Sequence, residues 1–139
     1  SIASAIYSRQ AALSSAAANK ISIHSEKLDV YETFSKFRSE LIAHGGNFPK
    51  EYLYACNSAS KDAEFYYTKE TSALFNELVE VGDVFYRARW KWERAEERSV
   101  LPENIDDLID DAYDKLKPLH KLVEELEVRM RKELIVGDI

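Results

Sequence analysis

Apolar side chains recur at three-to-four spacing along most of this chain, the period of a helix with one buried face. Residues 2–43 contain neither Gly nor Pro, and Ala, Leu, Lys, Glu, Arg and Gln recur throughout. Most of these residues favour helix, so the pattern predicts one continuous helix. At 1.5 Å per residue it would be about 60 Å long. Its halves differ. Ile23, Val30, Phe34, Phe37 and Leu41, widened by Leu28 and Tyr31, make a stripe suited to a core. Ser1 to Lys20 is rich in Ala and Ser, with apolar anchors only at Ile2, Ile6, Tyr7 and Leu13. A core cannot hold so little apolar surface, so residues 1–20 are expected to project.

His44-Gly45-Gly46-Asn47 ends this element, since Gly after a helix supplies the left-handed cap and Pro49 suits the first turn of the next helix. The second helix runs from about Pro49 into the 60s and carries Tyr52, Leu53, Ala55, Cys56 and Ala59. Thr68 and Ser60 are alternative N-caps near its end. The third spans about Lys69 to Arg98, with a heptad-like seam of Thr71, Leu74, Phe75, Leu78, Val81, Phe85, Ala88 and Trp92. Gly82 within it costs about 1 kcal/mol of helix propensity, which suggests close approach of another backbone. Ser99 to Asn104 reads as a turn, with Asn104 capping a last helix through Ile105, Leu108, Ile109, Ala112, Leu116, Leu119, Val123, Leu126 and Met130. Pro118 is expected to interrupt and kink that helix, and Val136-Gly137-Asp138 ends the chain. The expected fold is all-α: an antiparallel bundle of about four helices with a very long N-terminal helix. Residues 1–139 form one domain, with 1–20 stalk-like and 21–139 the bundle.

Composition agrees with few turns: 139 residues hold only four Gly and three Pro. The net charge of −6 is uneven. The first third is slightly basic and the last strongly acidic. Nucleic acid is therefore not an expected partner, since binding it needs clustered Lys and Arg. The run Arg87-Ala88-Arg89-Trp90-Lys91-Trp92 interleaves cations with aromatics, and reads first as a helix whose polar face snorkels. Cys56 is the only cysteine, which excludes an internal disulfide and fits a reducing compartment. It reads as a small buried side chain. No apolar run is long enough to span a bilayer.

Chemistry leaves little trace. There is no Glu-x-x-His pair for a di-iron site, no Gly-x-Ser-x-Gly and no phosphate-binding loop. No catalytic, cofactor-binding or metal-ligating residue is assigned. His120 and Glu124, one turn apart, would need the face of Asp107, Asp110, Asp111 and Asp114 to make a metal site; a solvated acidic helix is the simpler reading. His24 reads as a boundary histidine. The aromatics are more telling. Phe65, Tyr66 and Tyr67 cannot share one helix face, nor can Trp90 and Trp92. Ile2, Ile6, Leu13, Tyr66, Tyr67, Trp90 and Trp92 are the candidate interface residues.

Arg9-Gln10, the stretch Lys27-Leu28-Asp29-Val30-Tyr31-Glu32-Thr33-Phe34, and Ala63-Glu64-Phe65-Tyr66-Tyr67 leading into the third helix resemble a group of small bacterial membrane-anchored proteins of unknown function. The resemblance implies a transmembrane segment before Ser1 and a cytoplasmic helical domain at the inner membrane face. The basic first third would then lie near the anionic leaflet. The expected function is a non-enzymatic interaction or scaffold module, binding a protein partner or itself through helices. The alternatives are a small helical metal-binding protein or enzyme, and a structural or phage-type component unrelated to membranes.

Overall fold

The structure, a computed structural model, describes residues 2–97 and 104–137. It contains, among the described residues, four α-helices and one short 3-10 turn, with no strand. Helix α1 spans Ile2–His44, α2 Lys50–Tyr66, α3 Lys69–Glu97 and α4 Ile105–Gly137. Gly45 leaves α1 at φ 57°, the left-handed conformation that glycine adopts without strain. Thr68 accepts the Thr71 N–H on its hydroxyl and so caps α3, leaving Ser60 inside α2. Ile105 follows Asn104 directly. The expected turn at Ser99–Glu103, and the chain end at Asp138, lie outside the described residues.

Each helix packs on its neighbours in the order α1, α2, α3, α4, with α4 returning to α1. Cross-contacts fix the directions. The Cys56 thiol points to the Thr33 carbonyl while Tyr67 reaches Lys27, so α1 and α2 run antiparallel. Arg38 meets Glu124 while Tyr31 meets Glu127, so α1 and α4 also oppose each other. Phe34, Phe37, Leu41, Phe48, Phe75, Leu78, Leu119, Val123, Leu126 and Met130 fill the centre. Phe48, in the turn after α1, stands edge-on to Phe37 with ring centroids 5.1 Å apart and lies 5.8 Å from Phe85. It plugs one end of the bundle.

Arg89 closes that end. Its Nη1 donates to the carbonyls of Gly46 at 2.7 Å and Phe48 at 2.8 Å. The guanidinium lies 5.4 Å from the Phe48 ring and 5.0 Å from the Tyr86 ring, with Glu93 at 3.4 Å. Both arginines of the cation-rich run are thus committed internally, Arg87 pairing with Asp83, and beyond the run Arg94 covers the Trp90 ring.

Three expectations are corrected. Pro118 does not interrupt α4, which continues through it from Ile105 to Gly137. Pro118 and Asp114 are both exposed, so the hydrogen bond that proline removes from the helix is lost on its outer side. Gly82 admits a side chain rather than a backbone, since an added Cβ would stand 2.6 Å from Leu53 Cδ1. Ile23 and Leu28 are 46% and 39% exposed, so the buried stripe of α1 begins at Val30 and the projecting part extends past residue 20.

Gly82→Ala should therefore destabilise the protein by about 1 kcal/mol, because overpacking against Leu53 outweighs the gain in helix propensity. Urea denaturation checks it; a gain in stability would show that Leu53 moves aside freely.

Candidate functional site

Residues 2–23 are all exposed. At 1.5 Å per residue they extend α1 about 33 Å from the bundle. The face they present is not random. Counting back from Leu41 in alternating steps of four and three gives Phe37, Phe34, Val30, Lys27, Ile23, Lys20, Ala16, Leu13, Arg9, Ile6 and Ile2. The first three of these and Leu41 are core. The seam that packs inside the bundle thus continues in phase along the whole helix, at the spacing of a helix–helix interface. On the overhang it exposes Ile2 by 82%, Ile6 by 55%, Leu13 by 62% and Ile23 by 46%. Tyr7 and Ile21 are also exposed but lie off this line.

The exit of α1 is clamped. Tyr67 donates its hydroxyl proton to the Lys27 carbonyl at 2.7 Å, and Lys27 Nζ lies 5.8 Å from the Tyr67 ring. Tyr31 donates to Glu127 Oε1 at 2.8 Å, and Arg131 Nε donates to the same oxygen and to the Tyr31 hydroxyl. Beside them Glu133 accepts the Thr68 N–H at 2.7 Å and the hydroxyls of Thr68 and Thr71. This carboxylate from α4 sits at the N-terminus of α3, where free N–H groups favour an anion. These bonds pin α1, the α2–α3 turn and α4 together where the overhang leaves. The same end exposes Phe65 by 80% and Ile135 by 67%.

The seven candidate interface residues divide. Ile2, Ile6 and Leu13 share the seam of the overhang. Trp90 is 46% exposed, under Arg94. Trp92 and Tyr66 are partly buried against the core. Tyr67 is a correction, since it is 7% exposed and belongs to the core. The buried face of α2 runs Leu53, Cys56, Ser60, Ala63 and Tyr67, in steps of three and four, which turns Phe65 outward. That spacing was readable and singles out Phe65 as the exposed member of the triplet.

The acidic candidates are not gathered. Glu124 pairs with Arg38 at 3.2 Å and Asp111 with Lys115 at 2.6 Å. No group of three or more His, Cys, Asp or Glu placed to hold a metal ion occurs among the described residues. A shallow cavity of about 310 Å³ between α2 and α3 is lined by Leu53, Tyr54, Asn57, Asn76, Glu80 and Asp83, among others. Its one serine, Ser60, donates its hydroxyl proton to the Asn57 carbonyl at 2.8 Å. No described helix is long and apolar enough to cross a membrane. No protein-family profile, curated protein or solved structure matches this chain.

Burial pushes the Cys56 thiol up to about 12, from an ordinary 9.0. Burial first, then the Glu133 charge, raises the Tyr67 phenol above its ordinary 10.0. Both groups stay protonated in the folded chain at pH values where the unfolded chain ionises. Their contribution is therefore complete below pH 9 and is lost as pH rises. For Cys56 the loss reaches about 1.4 kcal/mol per pH unit above the unfolded value. The melting temperature should fall from pH 9 upward, and Cys56→Ala with Tyr67→Phe should flatten that fall. An unchanged pH dependence in the double variant would show that other groups govern it.

Proposed function

We propose that this chain is a non-enzymatic helical interaction module whose working surface is the seam of α1 beyond the bundle. One observation carries the reading. A seam that is fully packed from Val30 to Leu41 continues in register through residues 2–23, where it is exposed. Surface helices ordinarily turn polar where their core contact ends. Here Ile2, Ile6, Leu13 and Ile23 keep the phase instead, and Ala16 between them permits close approach. The partner is a protein helix.

A photo-crosslinking residue placed at Ile6, Leu13 or Ile23 in cells should give protein adducts, while Ala11, Ser15 and Ser22 on the opposite face should give few. Adducts independent of face, or none, would overturn the reading. Deletion of residues 1–20 should leave the melting temperature unchanged to within about 2 °C, since that segment lends the bundle almost no burial. A larger drop would make it a structural strut.

A further inference from the structure

Resting on that reading, we propose that the occupant of the seam is a second copy of this chain: residues 2–23 of two molecules pair antiparallel, with Leu13 near the centre. Each overhang then ends against the other molecule's bundle.

Four features of the molecule support this arrangement. The first is continuity. The exposed seam prolongs one that already packs helices inside the molecule, at the same alternating step, so a helix is the shape it fits.

The second is self-complementarity. Reversed about Leu13, the seam places Arg9 against Ala16 and Ala17, Lys20 against Ile6, and Ile2 against Ile23 and His24. Each cation meets a small or apolar residue along which its stem can lie. A parallel in-register pair would instead set Arg9 against Arg9 and Lys20 against Lys20 within the seam, where like charges oppose association.

The third is the distribution of charge. Residues 1–25 contain no carboxylate side chain, and Glu26 is the first. Every acidic side chain of a chain whose net charge is −6 therefore lies beyond the overhang in sequence. Parallel pairing brings two acidic bundles side by side. Antiparallel pairing sets them at opposite ends of a rod about 30 Å long, well beyond the screening length of about 8 Å at physiological salt. It also brings the basic overhang of each molecule towards Glu26 and Asp29 of the other.

The ends match too. Tyr67 bonded to Lys27, and Thr68 bonded to Glu133, place the last turn of α2 and the end of α4 beside the α1 exit. Leu28, Phe65 and Ile135, all exposed, lie at that end. The tip carrying Ile2 and Ile6 would rest there and cover part of this apolar surface.

The test uses the purified chain. Light scattering across a concentration series should show the mass rise from 16.0 kDa towards twice that value. Leu13→Asp should hold it at the monomer mass, with the same melting temperature and helix content. In a Cys56→Ala background, oxidation of mixed Ile6→Cys and Lys20→Cys chains should give the 6–20 cross-linked dimer, and Ile6→Cys alone should give little. Strong 6–6 and 20–20 cross-links would overturn the antiparallel arrangement. A monomer at every concentration would overturn self-pairing altogether. Should the wild-type chain be monomeric while the in-cell crosslinks still follow the seam, the interaction module stands with a different protein as partner. Should those crosslinks lose their face dependence, the module reading itself fails.

Discussion

The whole molecule depends on how a short stretch of α1 is gripped. Val30, Phe34, Phe37 and Leu41 are the buried residues of that helix, and they hold an element that spans Ile2–His44. Burial of three or four large side chains contributes only several kcal/mol, so the grip is reinforced at both ends by directional contacts. At one end Phe48 wedges between Phe37 and Phe85, and Arg89 ties the carbonyls of the connecting turn. At the other, Tyr67 and Tyr31 bind α1 to the α2–α3 turn and to α4. The tyrosine contacts act at the point where the helix loses its neighbours. They fix the direction in which the overhang leaves, and so the face it presents.

The polar contacts within the bundle obey one rule: each buried charge has a partner from another element or from its own helix. Glu127, 6% exposed, meets Tyr31 and Arg131. Glu133 closes the first turn of α3. Arg89 satisfies two backbone carbonyls that the 3-10 turn leaves without helical donors. Removing one member of such a set leaves the other unpaired in a low-dielectric setting, which costs more than the pair itself contributes. These groups therefore hold the topology in place.

Local signals in the sequence were sufficient for the helices and the turn at Gly45. Helix period and the Gly-Gly break act within a few residues and read directly, whereas Thr68 and Ser60 were both open as caps and Pro49 stands just before α2 instead of within it. The projection of the first residues was equally legible, from the poverty of large apolar side chains before Ile23. Contacts between distant residues were not. Nothing near Phe48 in the chain reports that it fills the bundle end, since its partners Phe37 and Phe85 belong to two different helices. Leu53 filling the space above Gly82 is likewise a relation between α2 and α3. Ile23 looks like a core residue by period alone, yet it is 46% exposed, which depends on how the other helices pass α1 and not on its own neighbours in the chain. The Phe65–Tyr67 triplet is the intermediate case: the phase of α2 separates its members, but only when it is counted from Leu53 onward.

The low apolar content of the overhang suits reversible assembly. An isolated helix of this length would be marginal, because its first turn must be nucleated at considerable cost. Here α1 is already helical where the bundle grips it, so residues 2–23 extend an existing helix and only the favourable propagation step applies. The Ala-rich composition helps that step. Association then does not have to order the backbone, which is among the larger costs of coupled folding and binding. A few large side chains on one line are enough when the helix that carries them is formed in advance. In the proposed pairing the same economy limits the strength of the contact, since Arg9, Ala16 and Lys20 dilute the seam. A surface built this way suits joining and release under mass action, with the bundle folded in both states.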